Sequence, residues 1–257
     1  MNRFFALLSA VLLLAACEAR TMSSSADGEP SSDGEPVSPA SSVSSEVSSK
    51  EEEPSSSVSS SASADDWRLI LVNPWHVLEE ELDVELADTA YGYQVDARIV
   101  DDLDAMMQKA KSDGVDLLIC YGYRTFAQSE ALFEKQINRQ LAANPSYTRE
   151  QAAEAAKKWV APPGTSDHHT GLALDIVTPS NQVLNDDFAM TDAAKWMAAH
   201  GWEYGFVIRF PADKTDITGI AYESWHLRYV GREHAAVMHE KNLCLEEYVE
   251  AIQNGTL

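Results

Sequence analysis

Two stretches of the chain hold residue types able to do chemistry together: Ser166-Asp-His-His-Thr-Gly-Leu-Ala-Leu-Asp175 and, more than forty residues later, Glu223-Ser-Trp-His226. A catalytic zinc ion typically takes three protein ligands from His and Asp or Glu, with the fourth position left open. His168, Asp175 and His226 supply such a set. Gly171 lies between the first two, where a tight turn would let a loop histidine and a strand aspartate converge. Asp175 is flanked by Leu172, Ala173, Leu174, Ile176 and Val177. A carboxylate buried among such residues needs a cation or a set of donors. His226, between Trp225 and Leu227, raises the same requirement. A histidine without such a setting is ordinarily structural or at the surface, and His76, His200, His234 and His239 are expected there.

The elements that must position these residues follow from periodicity. Leu69 to Asn73 reads as a first strand, and Ala97 to Lys111 as an amphipathic helix with Ile99, Leu103, Met106, Met107 and Ala110 on one face. Val115 to Tyr121 is a short buried strand, and Ala127 to Ala142 a second helix. Thr148 and Gln151 form the capping pair of a third helix, which Pro162-Pro163-Gly164 stops. Gly171 to Val177 is a strand. Thr191 to His200 is a helix whose end Gly201 is expected to cap. Phe206 to Phe210 and Trp225 to Val230 are further strands, and two short helices finish the chain. Strands and helices alternate without a regular βαβ rhythm, which places the domain in the α+β class.

With the elements in place, the pattern S-x-H-x-x-G-x-A-x-D followed by E-x-W-H resembles the VanY-type D-alanyl-D-alanine carboxypeptidases and the related L,D-carboxypeptidases. Further matching segments are Gly122 to Gln128, Tyr204 to Arg209, Thr218 to Tyr222, Arg228 to Gly231 and Leu243 to Tyr248, so the resemblance spans nearly all of Leu69 to Tyr248. It implies the hedgehog/DD-peptidase-like fold, a central antiparallel sheet flanked by helices. It also implies one Zn2+ per domain on His168, Asp175 and His226, with Glu223 as general base. Arg124 takes the position of the active-site arginine that contacts substrate and stabilises developing negative charge. Ser166 and Gln128 match positions that help hold the substrate's terminal D-alanine. His169 departs from the Gln or Asn of many relatives. A fourth protein ligand would close a metal to water, so His169 is expected to be a wall residue.

The implied substrate is the peptidoglycan stem peptide, cut at its C-terminal D-alanine. A D,D-carboxypeptidase is the first expectation and an L,D-carboxypeptidase acting on tetrapeptide stems the alternative. A non-catalytic, zinc-containing wall-binding module is the alternative of another class, and a dipeptidase acting on free dipeptide would not need the tether described next.

The chain has 257 residues and a formal net charge of −22. Residues 1–16 read as a lipoprotein signal peptide, with Arg3 before an apolar run too short to span a bilayer, which takes roughly 20 residues. Leu14-Ala-Ala-Cys17 resembles a bacterial lipobox, making Cys17 a lipid attachment site. From Glu18 to Asp66 the chain carries 11 acidic and 2 basic residues among Ser, Pro and small residues. That composition cannot bury enough apolar surface to offset chain entropy, and a disordered, self-repelling tether over residues 17–66 is expected. Residues 67–257 form the catalytic domain, long enough for one core. Its 30 acidic and 16 basic residues argue against a nucleic-acid partner. The whole describes an extracytoplasmic lipoprotein held at the membrane by Cys17 and facing the cell wall. Cys120 and Cys244 are expected as two unpaired core thiols.

Overall fold

The computed structural model describes Ser63 and residues 66–257. The expected signal segment, Cys17 and all of the expected tether except Ser63 and Asp66 lie outside the described residues. No helix among the described residues is long and apolar enough to cross a membrane.

A small hairpin, β1 (Leu86–Asp88) and β2 (Gln94–Asp96), comes first. A 3₁₀ turn then leads into α1 (Val100–Ser112). Leu103, Met106 and Ala110 are its buried face, with Asp101 and Asp102 in the first turn and Lys109 and Lys111 in the last, which suits the helix dipole at both ends. β3 (Leu118–Tyr121) follows, then α2 (Phe126–Ala143) and α3 (Arg149–Ala156). Both of these helices open with a capping box, Thr125 with Gln128 and Thr148 with Gln151. Next come β4 (Ala173–Val177), α4 (Asp192–His200), β5 (Phe206–Ile208), a single turn α5 (Thr215–Thr218) and β6 (His226–Tyr229). The chain ends in α6 (Arg232–Lys241) and α7 (Leu245–Asn254).

The main sheet has the order β3-β4-β6-β5, with every neighbouring pair antiparallel. This is the α+β architecture expected, an antiparallel sheet flanked by helices. All five residues of β4 and all four of β6 are buried. The main core gathers Leu103 and Met106 of α1, Leu174 and Ile176 of β4, Trp196 and Met197 of α4, and Leu227 of β6. A second cluster, including Leu69, Val230, Met238, Leu245 and Tyr248, lies under α6 and α7.

One local expectation is overturned and another is refined. Leu69 to Asn73 is not a strand: Trp67–Leu69 is a 3₁₀ turn, and Asn73 makes only an isolated bridge to His76. The reason is the partner its carbonyls find. Arg228 Nη2 donates to the carbonyls of Arg68 and Ile70 at 3.0 and 2.7 Å, and Arg209 Nη2 approaches that of Val72 at 3.5 Å. Guanidinium groups thus satisfy the acceptors that a neighbouring strand would otherwise have taken. Gly201 is the C-cap of α4 as expected, its amide donating to the Met197 carbonyl, but its φ is −55° rather than left-handed and the chain continues into a 3₁₀ turn, Gly201–Tyr204. Gly205 (φ 87°) makes the reversal instead. Gly201 serves for close approach, because a Cβ there would lie 3.2 Å from the Phe206 carbonyl.

Candidate active site

Strand register does most of the positioning. Asp175 pairs directly with His226 across β4 and β6, and Tyr121 of β3 faces Asp175 from the other side. Directly opposed residues of an antiparallel pair hold their Cβ atoms about 4.5–5.5 Å apart, so the two side chains share one small volume. His168 arrives from a 3₁₀ turn, Asp167–Thr170, closed by Gly171 at φ 72°. Thr170 Oγ1 fastens that turn, donating to the Asp167 carbonyl at 2.7 Å and accepting from the Leu172 amide at 3.0 Å. The convergence of loop histidine and strand aspartate around Gly171 is therefore observed.

One ligand-type atom from each of His168, Asp175 and His226 lies within 4.8 Å of the other two, and all three residues are buried. His168 Nε2 is 3.4 Å from Asp175 Oδ2, and His226 Nδ1 is 3.1 Å from Asp175 Oδ1. Tetrahedral ligands about 2.0–2.2 Å from one ion stand roughly 3.4 Å apart, so these separations suit a single metal. His168 Nδ1 is held by the Gly122 carbonyl at 2.8 Å, which leaves Nε2 for a ligand. Asp175 Oδ1 is buried without a hydrogen-bond partner, as a ligand oxygen awaiting a cation would be. The donor set, two imidazoles and one carboxylate, fits a catalytic zinc ion.

The electrostatics agree with that fit. Burial pushes His168 down to about 4, so its imidazole is neutral, as a ligand must be. Burial also acts to lower His226, but the carboxylates of Asp167 and Asp175 beside it raise it to about 9. Burial works to raise Asp175, yet His168 and His226 hold it well below the usual carboxylate range.

Glu223 sits on the loop leading into β6, with Oε2 3.5 Å from His226 Nδ1 and about a quarter of its side chain exposed. Burial, aided by Asp175, pushes its carboxyl up to about 7, while His226 and Arg124 pull the other way. A carboxyl poised near neutrality at the rim of a metal-type cluster is suited to passing protons. Arg124 lies with its guanidinium 4.2 Å above the Tyr121 ring and 3.5 Å from Ser166 Oγ. Its Nε is buried with no partner. Its backbone amide donates to the His168 carbonyl at 3.2 Å, tying the two site segments together.

The other expected residues stand less close to the chemistry. Ser166 is buried beside Arg124. Gln128 is exposed at the first turn of α2, with its side-chain oxygen taken by the Thr125 amide in the capping box. His169 is no ligand: Nδ1 donates to the Arg124 carbonyl at 2.7 Å and Nε2 accepts from the Gly164 amide at 3.1 Å. It is a clip between two loops, which sharpens the expected wall role. His234 bonds Tyr248 and Asp66, His76 bonds Asn73, His200 pairs with Glu203, and His239 stacks on Trp202, all away from the cluster. Cys120 and Cys244 are not joined by a disulfide. Cys120 Sγ donates to the Asp175 carbonyl, and Cys244 is a buried thiol just before α7.

Inspection of the residues alone missed Asp167, Arg209 and Arg228, all fully buried and packed together behind His226. A usable signal was present: Arg228 lies in the apolar strand β6 and Arg209 directly follows the apolar β5, and the buried-charge argument made for Asp175 applies to them equally.

Residues 92–232 match the family model described as VanY, D-alanyl-D-alanine carboxypeptidase. A D-alanyl-D-alanine carboxypeptidase of Enterococcus faecalis (strain ATCC 700802 / V583) is 35% identical over 199 residues, covering 77% of this chain and 72% of that protein. A variant of the vancomycin resistance D,D-pentapeptidase VanY, solved in complex with Zn(II), is 37% identical with a TM-score of 0.63, covering 72% of this chain and 99% of that one. The LD-carboxypeptidase LdcB is 35% identical with a TM-score of 0.54, covering 69% of this chain and 78% of that one. The family match covers more than half of the chain and includes every residue of the buried cluster. The chain belongs to the VanY family of D-alanyl-D-alanine carboxypeptidases.

Proposed function

We propose that this protein is a zinc carboxypeptidase that removes the C-terminal D-alanine from peptidoglycan stem peptides, with the D,D bond as its preferred target. The observation that carries the proposal is the buried His168–Asp175–His226 cluster, with the Glu223 carboxylate 3.5 Å from one of its ligand atoms. When bound there, zinc supplies Lewis-acid polarisation and brings a water molecule into the range of nucleophilic attack near neutral pH. His168 offers Nε2, His226 offers Nδ1 and Asp175 offers its carboxylate. Glu223 takes the proton of the attacking water at a carboxylate oxygen and returns it to the departing D-alanine amine. Arg124 contributes fixed positive charge toward the oxyanion that forms, a contribution whose loss costs about 10²–10³ in rate in comparable sites. Ser166 steadies the Arg124 guanidinium and faces the substrate's terminal residue. Gln128 contributes through its amide NH₂, since its oxygen belongs to the helix cap.

Incubating the purified protein with a defined pentapeptide and a defined tetrapeptide, then weighing the products, tests the reading. Loss of one alanine from the pentapeptide is expected. Cleavage of the tetrapeptide alone would shift the assignment to the L,D bond, the second reading, which similarity to LdcB favours. No release from either peptide by zinc-loaded protein would refute the activity and leave the wall-binding alternative.

The enzyme is further proposed to act outside the cytoplasm, anchored by lipid at Cys17 and held off the membrane by the acidic segment that follows. The lipobox-like Leu14-Ala-Ala-Cys17 supports this. Palmitate labelling of the wild-type chain, absent from Cys17→Ser, is the expected result. Equal labelling of the two would refute the anchor.

A further inference from the structure

Behind His226, on the side away from Asp175, three buried atoms lack a hydrogen-bond partner: His226 Nε2, Asp167 Oδ2 and Arg209 Nε. They face one another. Asp167 Oδ2 is 3.8 Å from His226 Nε2 and 3.5 Å from Arg209 Nε. Its other oxygen accepts from Arg228 Nη1. The side chains of Asp167, Arg209 and Arg228 have no exposed surface. Both arginines are themselves anchored. Arg209 is paired with Glu246 of α7 at 2.7 Å, and Arg228 with the carbonyls of Arg68 and Ile70.

We infer that Asp167 is a positioning residue for the metal site, accepting the Nε2 proton of His226 and so presenting Nδ1 to the ion. The inference rests on the zinc reading above. A histidine that binds metal through Nδ1 must carry its proton on Nε2, and in a buried site that N–H needs an acceptor. Asp167 Oδ2 faces that nitrogen. Closing the 3.8 Å separation by roughly 0.6 Å brings it into the ordinary N–H···O range. The two arginines, Arg228 on Oδ1 and Arg209 facing Oδ2, fix the plane of the Asp167 carboxylate. Their own anchors tie the orientation of one ligand to both ends of the domain, residues 68–72 and α7. His168 has the simpler support of a single carbonyl, Gly122, on its Nδ1.

Zinc affinity, measured on the full chain by competition with a chelating dye, tests this. In Asp167→Asn the oxygen stays with Arg228, its closer partner, and an NH₂ group turns toward His226. Zinc binding is expected to weaken about 10–100-fold, with the stoichiometry unchanged at one. Trp196→Phe removes the hydrogen bond to Asp113, which shares no residue with this network, and is the control for lost stability alone. It is expected to lower the melting temperature while zinc affinity stays within about twofold of wild type. If wild type binds no zinc, the metal reading and this inference both fall. If wild type binds one zinc and folded Asp167→Asn binds it as tightly, the role of Asp167 alone is refuted. Should Asp167→Asn not fold, imidazole ¹⁵N spectra of zinc-loaded wild type decide. A slowly exchanging proton on His226 Nε2 is expected, and metal on Nε2 would overturn the inference.

Discussion

Gly122 links the hairpin, the sheet and the metal cluster, and replacing it with alanine makes a quantitative test of how tightly the site is built. A Cβ on Gly122 would lie 2.3 Å from the Gln94 carbonyl oxygen of β2, where contacts below 3.0 Å essentially never occur. The backbone must therefore shift by at least the difference, about 0.7 Å. The same Gln94 oxygen accepts from the Tyr123 amide at 2.6 Å, and the Gly122 carbonyl holds His168 Nδ1 at 2.8 Å. Whichever side yields, one of these bonds lengthens and the segment ending at Arg124 moves with it. Overpacking of this kind costs about 1–3 kcal/mol. At 2 kcal/mol, that lowers the melting temperature of a domain this size by roughly 4–8 °C. Displacements near 1 Å in a catalytic constellation cost about 10²-fold, so kcat/KM should fall about 10–100-fold. Gly114→Ala is the control. Gly114 has a left-handed backbone (φ 81°) but nothing within 4 Å of a new Cβ, so it should lose about 1 kcal/mol and no activity. Thermal melts and peptide-release kinetics on both variants provide the readout. Gly122→Ala with kcat/KM within twofold of wild type would refute the idea that the Gln94–Gly122–His168 contact sets the site geometry.

Three other perturbations follow from the same geometry. Glu223→Gln removes the proton acceptor but none of the three metal-type ligands; peptide release should drop at least about 10²-fold while zinc binds with unchanged stoichiometry, and retained turnover would exclude Glu223 as the base. His169→Ala leaves the Gly164 amide and the Arg124 carbonyl without their partner, so a stability loss of about 1–3 kcal/mol is expected; a change in zinc stoichiometry would show that His169 is a ligand after all. Burial pushes the Cys244 thiol up to about 12, so its contribution to stability is complete below its ordinary value of 9 and fades as pH rises toward 12; rapid alkylation of Cys244 in the folded protein at pH 8 would contradict this.

The residues of the chemistry could be read without a fold because each breaks a local rule. Asp175 and His226 are polar groups in apolar strands, and their burial has to be answered by a charge or a metal. Gly171 marks the turn that brings His168 to them, and the left-handed conformation found there is one that glycine adopts without strain. Helices α1, α2 and α4 were apparent from their periodicity, and α3 from its capping pair. Thr125 and Gln128 carry the same capping signature as Thr148 and Gln151, and the structure forms both capping boxes.

What the tertiary structure alone decided are the pairings between distant segments. Register places Asp175 opposite His226, and a slip of one residue would have turned one of them to the other face of the sheet. The segment from Leu69 to Asn73 has the composition of a strand, but Arg228 and Arg209 claim its carbonyls first. His169 stands beside a ligand and differs from it only in partners, one carbonyl and one amide that fill both of its nitrogens. Asp167 is one residue from His168 and could not be told from an ordinary acidic loop residue until Arg228 of β6 and Arg209, just after β5, closed around it. Composition and spacing name the groups that need a partner. Which partner each one finds depends on contacts between segments far apart in the chain, and only folding brings those segments together.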